Sequence, residues 1–159
     1  MLQLIPAPLH RAGLRVAHAL RKRWWRLAKV TLHGCRVMAF DADGRVLLIR
    51  HSYGSGSWML PGGGIARGEM PLAAAMRELR EETGCALLKP RCLARIDELL
   101  YGTTNQVHLV SGTATGTLSC DGREVIEARF FAPDALPAGL SPALAARFDA
   151  WLELARASA

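Results

Sequence analysis

Along residues 9–29, apolar side chains return every three or four positions. On a helix turning about 100° per residue, Leu9, Ala12, Val16, Leu20, Trp24 and Leu27 gather on one side. Arg11, Arg15, Lys22, Arg26 and Lys29 gather opposite, while Leu14, Arg23 and Trp25 break the pattern. The spacing predicts a basic amphipathic helix. From residue 34 the pattern changes: "CRVMAFD" and "RVLLIR" are short β-rich runs joined by the hairpin signal "DADG". "HSYGSGSW" reads as a loop. A helix is predicted from about Pro71 to Thr83, with proline at its first position and Gly84 just past its end. Further strands are expected around "CLARIDELLY", "QVHLVSGTA" and "EARFFA". "SPALAARFDAWLELARA" closes the chain as a single helix with Leu144, Phe148, Trp151 and Leu152 on its apolar side. The expected organisation is an N-terminal helical extension over 1–33, followed by one α/β domain over 34–159.

Composition narrows the class. A chain of 159 residues that is 50% hydrophobic and 21% charged suits one globular domain. No apolar run reaches bilayer-spanning length, and the N-terminus lacks the pattern of a secretory signal, so a cytoplasmic location is expected. Cys35, Cys85, Cys92 and Cys120 are scattered without a close pair, which predicts reduced, mostly buried thiols. The net charge of +6 is unevenly spread. Residues 1–33 hold seven basic side chains and no acidic one, leaving 13 basic against 14 acidic in the remainder. The basic character thus belongs to the extension. Its apolar face needs a cover: the domain, a second subunit in a homodimer, or a membrane surface. Packing on protein is the favoured cover, and nucleic acid the least favoured partner.

Within the central helix, "RELREETG" packs Glu78, Glu81 and Glu82 into adjacent turns, where like charges three and four apart repel. A solvated acidic face is the plain reading of such a run. The flanks argue otherwise. Leu72, Ala75, Met76, Leu79 and Thr83 are expected to form the buried face, with the three glutamates on an arc of about 100° beside it. A hard divalent cation such as Mg²⁺ or Mn²⁺ seeks oxygen ligands and relieves that repulsion. Ahead lies "PGGG", a glycine turn that lets backbone approach closely. Glu69 stands at the helix entrance. Arg77 has the planar fork to hold a carboxylate or contact a phosphate.

With its flanks, the segment resembles the signature box of the Nudix hydrolases, matching at Gly63, Glu69, Arg77, Glu78, Leu79, Glu81, Glu82, Gly84 and Cys85. Chance agreement at the seven fixed identities is on the order of 10⁻⁸ per start position. The likeness extends from "VMAFDADGRVLLIRH" through "WMLPGGG" to "EARFFAPDALP", about residues 34–155. It implies an α/β/α sandwich around a mixed β-sheet. It also implies metal-dependent hydrolysis of a diphosphate bond in a nucleoside diphosphate linked to another group. Two positions depart from the pattern. Met70 stands where serine or threonine usually caps the helix, and Cys85 replaces an aliphatic residue. Neither is a ligand position.

The resemblance implies Glu78, Glu81 and Glu82 as metal ligands, assisted by the Gly63 carbonyl and supported by Glu69 and Arg77. A general base outside the box is expected, and Glu124 is the candidate, with Glu127 and Glu98 as rivals. Tyr53 and Trp58, in or beside the loop before the box, have rings that stack on a base; Arg50 is grouped with them as a substrate contact. Tyr101, 16 residues after the box, resembles a marker of dinucleoside polyphosphate hydrolases. Two alternatives stand beside the small-molecule enzyme: an RNA 5′-end pyrophosphohydrolase and a non-catalytic ligand-binding module.

Overall fold

A computed structural model describes residues 32–100, 103–120, 122 and 124–158, with Gly13 ahead of them. The expected N-terminal helix, and whatever covers its apolar face, lies outside the described residues. Five strands are present: β1 (Leu32–Phe40), β2 (Val46–His51), β3 (Ala86–Leu100), β4 (Thr103–Thr115) and β5 (Val125–Phe131). They form one sheet in the order β3-β4-β1-β2-β5. β1 runs parallel to β4, whereas the pairs β1/β2, β2/β5 and β3/β4 are antiparallel, so the sheet is mixed. Its helices are α1 (Pro71–Thr83), α2 (Pro142–Ala145) and α3 (Phe148–Ala157).

Alternation along the central strands divides the core into two layers, because successive side chains leave a strand on opposite faces. Cys35, Val37 and Ala39 of β1 and Leu47 of β2 meet Ala74, Ala75 and Leu79 of α1 on one face. Met38 of β1 with Val46 and Leu48 of β2 meet Trp58, Leu144, Phe148, Trp151 and Leu152 on the other. Each fully buried aliphatic side chain contributes roughly 2 kcal/mol relative to exposure. The result is the α/β/α sandwich.

The "DADG" turn closes as expected. The Asp41 carboxylate accepts the Asp43 and Arg45 backbone N–H groups at 3.0 and 2.9 Å, and Gly44 takes a left-handed φ of 74°. Other boundaries shift. β1 begins earlier than its apolar run, and β3 starts directly after α1 and extends for 15 residues, because pairing with β4 recruits polar positions. The C-terminal segment is two helices rather than one. Ser141 caps the first by accepting the Leu144 N–H, and Arg147 (φ −130°) breaks the run before Phe148.

The buried face of α1 also differs from the expected one. Ala75, Leu79 and Thr83 are buried as expected, but Met76 is 44% exposed while Ala74 and Glu82 are buried. The covered arc is thereby rotated by roughly 60° toward the glutamates. Two of the four cysteines, Cys35 and Cys85, are buried; Cys92 is exposed and Cys120 intermediate, all as free thiols. Among the described residues no helix is long and apolar enough to cross a membrane.

Candidate active site

Residues 61–65 run beside the start of β1, where Cys35 N–H donates to the Gly63 carbonyl (2.9 Å) and Val37 N–H to that of Pro61 (2.8 Å). Only glycine fits this approach. A Cβ on Gly62 would stand 2.1 Å from the Cys35 carbonyl oxygen, and one on Gly63 would stand 2.6 Å from the Glu78 carboxylate. The loop therefore sits against both β1 and the carboxylate edge of α1. Gly62 N–H then donates to Glu82 Oε2 at 2.8 Å.

Glu82 is the most deeply placed of the box glutamates, with 8% of its side chain exposed; Glu78 has 15% and Glu81 61%. Burial pushes the Glu82 carboxyl up to about 8, against the Gly62 hydrogen bond and with added repulsion from Glu78, Glu124 and Glu81. Burial also raises Glu78, opposed by its bonds to Arg77. His51, at the end of β2, places Nε2 3.4 Å from Glu82 Oε1. Burial lowers the His51 pKa, partly offset by the charge and the backbone carbonyl of Glu124. Burial thus disfavours the charged form of both Glu82 and His51.

Arg77 organises the exposed side of the cluster. Its Nε and Nη2 form a fork on the Glu69 carboxylate at 2.8 and 2.9 Å. Nη1 reaches Glu78 at 2.7 Å and Glu81 at 3.3 Å, and Nη2 also donates to the Gly64 carbonyl at 3.0 Å. Glu69 in turn accepts the Ala66 N–H at 2.9 Å. The arginine fork holds the Glu69 carboxyl down at about 2, aided by that backbone bond. In this state Arg77 ties the glycine loop to α1 through protein groups.

Glu124 precedes β5 directly, and its carbonyl accepts the Ser52 N–H at 2.9 Å. Its carboxylate accepts the Tyr53 hydroxyl at 2.9 Å. The Glu124 charge raises the pKa of both Glu78 and Glu82, so it lies within electrostatic reach of the box cluster. The rivals are engaged elsewhere. Glu127 pairs with Arg50 (3.2 Å) and Arg129 (2.9 Å), and Glu98 with Arg36 (3.0 Å) and Arg147 (2.9 Å).

The candidate substrate contacts separate in space. Tyr53, with His51, Gly54, Gly56 and Ile126, lines a cleft of about 340 Å³ next to Glu124. Trp58 is not brought there: it is 8% exposed in the second core layer, edge-on to Phe131 at 4.9 Å. Arg50 lies over the Trp58 ring at 5.6 Å, and its Nε donates to the Gly56 carbonyl at 3.0 Å, which braces the loop instead of presenting a free fork. Tyr101 lies outside the described residues. His51 was missed by sequence reasoning. A histidine at a strand end carries no spacing signal, and its meeting with Glu82 is a product of tertiary packing.

The donor chemistry suits a hard divalent cation: carboxylate oxygens, two of them on groups whose burial resists ionisation unless positive charge is supplied. The Gly63 carbonyl is directed at β1, where it accepts Cys35 N–H, while its Cα stands against Glu78. Among the described residues no group of three acidic, histidine or cysteine side chains is gathered for an ion, and Arg77 pairs with Glu78 and Glu81.

The NUDIX domain family pattern matches residues 33–152. "Nudix hydrolase 25" of Arabidopsis thaliana is 46% identical over 48 residues, 30% of this chain and 27% of that protein. An "RNA pyrophosphohydrolase" of Halorhodospira halophila is 46% identical over 48 residues, 30% of this chain and 26% of the relative. The match thus spans only about a quarter of those relatives' length. Among solved structures, a MutT NUDIX hydrolase from Burkholderia pseudomallei superposes with a TM-score of 0.67 at 28% identity, over 79% of this chain and 98% of that one.

Proposed function

The chain belongs to the NUDIX domain family, whose pattern spans residues 33–152, and from that premise we propose that it is a metal-dependent hydrolase of a diphosphate bond. The substrate class is a nucleoside diphosphate joined to another group, such as a nucleotide sugar or dinucleoside polyphosphate. The observation that carries this reading is Glu82, a buried carboxylate surrounded by other carboxylates and oriented by the Gly62 N–H. A purely structural glutamate gains nothing from such a place; a cation-binding one does.

Glu78, Glu81 and Glu82 would hold Mg²⁺ or Mn²⁺, with the Gly63 carbonyl beside them. When bound, the ion neutralises diphosphate oxygens and acidifies an attacking water. Glu124 would take the proton of the attacking water as the water oxygen adds to phosphorus. The bridging P–O bond breaks, and its electron pair leaves with the departing phosphate. Glu69 and Arg77 keep the glycine loop in register with α1 throughout. The cleft beside Glu124 receives part of the substrate outside the reacting diphosphate.

The test is a panel of ADP-ribose, UDP-glucose, diadenosine tetraphosphate and a 5′-triphosphorylated RNA, assayed with Mg²⁺ and with Mn²⁺. Metal-dependent release of a phosphorylated product from at least one is expected. Folded protein that turns over none of them with either ion overturns the reading. A second reading, hydrolysis at RNA 5′ ends, is favoured by the similarity to an RNA pyrophosphohydrolase. It requires RNA to be the best substrate, with turnover falling steeply with salt while free nucleotides are unaffected.

A further inference from the structure

His51, Ser52 and Tyr53 are consecutive, and all three engage the same region. His51 reaches Glu82 at 3.4 Å, Ser52 N–H donates to the Glu124 carbonyl at 2.9 Å, and the Tyr53 hydroxyl donates to the Glu124 carboxylate at 2.9 Å. The Tyr53 ring also stacks on the His51 ring, with centroids 4.8 Å apart and planes inclined at 27°. A tyrosine placed to stack on a nucleobase leaves its ring faces to the ligand. Here His51 covers one face, and the hydroxyl is spent on an acid 71 positions away in the chain.

We infer that Tyr53 is a positioning residue: it aims the Glu124 carboxylate at the box cluster, and the 51–53 segment sets the distance between Glu124 and Glu82. This rests on the reading of Glu124 as the proton acceptor. Three features support it. Tyr53, whose hydroxyl holds the Glu124 carboxylate, stacks on His51, which reaches Glu82, so the two acids are joined through one short segment. The Glu124 backbone is gripped by the neighbour of the residue that grips its side chain, so carboxylate and carbonyl are constrained from one rigid source. That source is the end of β2, which pairs with β5 at His51 and Val125, directly after Glu124. A glutamate has three side-chain torsions, and without a donor on its carboxylate those torsions sample several rotamers. A charge-assisted O–H···O⁻ bond narrows that set, which is the form in which a supporting side chain contributes to catalysis.

The experiment combines Tyr53→Phe, Tyr53→Leu, Glu124→Gln and the double variant Tyr53→Phe/Glu124→Gln. Kinetics use Mg²⁺ and the fastest substrate of the panel above, and melting curves are taken in EDTA. The expected result is that Tyr53→Phe lowers kcat about tenfold with KM unchanged, and costs nothing further in the Glu124→Gln background. In EDTA, the melting shifts of the two single variants should likewise fail to add, which tests the bond independently of turnover. Normal kcat in Tyr53→Phe, together with a raised KM in Tyr53→Leu, overturns the inference in favour of base stacking while leaving Glu124 as the base. Additive losses in both the kinetic and the melting cycles also overturn it. An unchanged kcat in Glu124→Gln removes the premise itself, and with it the inference.

Discussion

Glu82 and Glu98 are nearly equally hidden, with side chains 8% and 10% exposed, yet they stand on opposite faces of the sheet in opposite chemistry. Arg36 alternates with Cys35 and Val37 on β1, so it points with Met38 toward the C-terminal helices, and there it meets Glu98. Arg147, at the break between α2 and α3, supplies the second guanidinium. The Glu98 charge is therefore matched twice within the protein. Glu82 has a backbone N–H and the ring of His51, with carboxylates beyond. One face uses a buried glutamate to pin helices to strands. The other sets its glutamate among like charges, at the place where we propose that a divalent cation binds. Burial alone does not separate a structural carboxylate from a functional one; the sign of its surroundings does.

The comparison breaks most visibly in turnover. Glu82→Gln should reduce kcat by on the order of 10³-fold, because the proposed site then loses a ligand to its activating ion. Glu98→Gln should leave kcat within a factor of about two, since its partners lie on the far face. Steady-state kinetics with Mg²⁺ decide it, and equal losses in the two variants would erase the distinction.

Proton linkage is the next largest effect. The Glu82 carboxyl is raised from 4.5 to about 8 in the folded chain, so between those values the native state binds a proton that the unfolded state has released. Metal-free stability should therefore fall as pH rises through that window and level off above it, with a slope of up to about 1.4 kcal/mol per pH unit from this group. Glu69 acts in the other direction and lower. Its carboxyl is depressed from 4.5 to about 2, so its contribution is present above the upper value and lost as pH falls toward the lower one. Melting temperature against pH in EDTA should show both limbs, and Glu82→Gln should flatten only the upper one.

Stability at fixed pH gives a smaller contrast. Glu98→Gln strands two partly exposed guanidiniums and should cost about 1–2 kcal/mol. Glu82→Gln should be neutral or stabilising without metal, because it removes a group that burial disfavours. Denaturant midpoints check the pair, and a larger loss in Glu82→Gln would reverse the assignment. The smallest expected effect concerns helix starts. Ser141 caps α2 on one face, whereas Met70 at the start of α1 has no oxygen to offer and is 70% exposed. Met70→Ser should raise stability by about 0.5–1 kcal/mol with kcat unchanged, measured by urea titration.

Much of this arrangement is legible along the chain wherever neighbours in sequence are neighbours in space. Pro71 and Gly84 bracket α1 because a helix start tolerates a missing N–H and a helix end favours a left-handed residue, here at φ 73°. The run "CRVMAFD" reads as a strand, and the structure covers it on both faces, with Val37 and Ala39 on one and Met38 on the other. Arg77 is less legible. Its fork is consistent with a phosphate or a glutamate, and only the folded loop shows it committed to Glu69, Glu78 and Gly64. Trp58 reads as a stacking ring beside a glycine-rich loop, but the sheet turns it into the core.

By itself the sequence determined the mixed α/β class, the extent of α1 and the spacing that sets Glu78, Glu81 and Glu82 along one side of a helix. All three follow from local backbone periodicity, which contiguous residues encode. Only the tertiary structure decided which arc of that helix is buried. The Gly62 N–H arrives from 20 positions upstream and His51 from the end of β2, and both meet Glu82, which is buried while Met76 is left outside. Amphipathicity places apolar residues inward, and on that basis Met76 belongs in the core. A glycine loop that brings a backbone donor to a carboxylate reverses the preference, because satisfying a buried acid outweighs covering one more methionine.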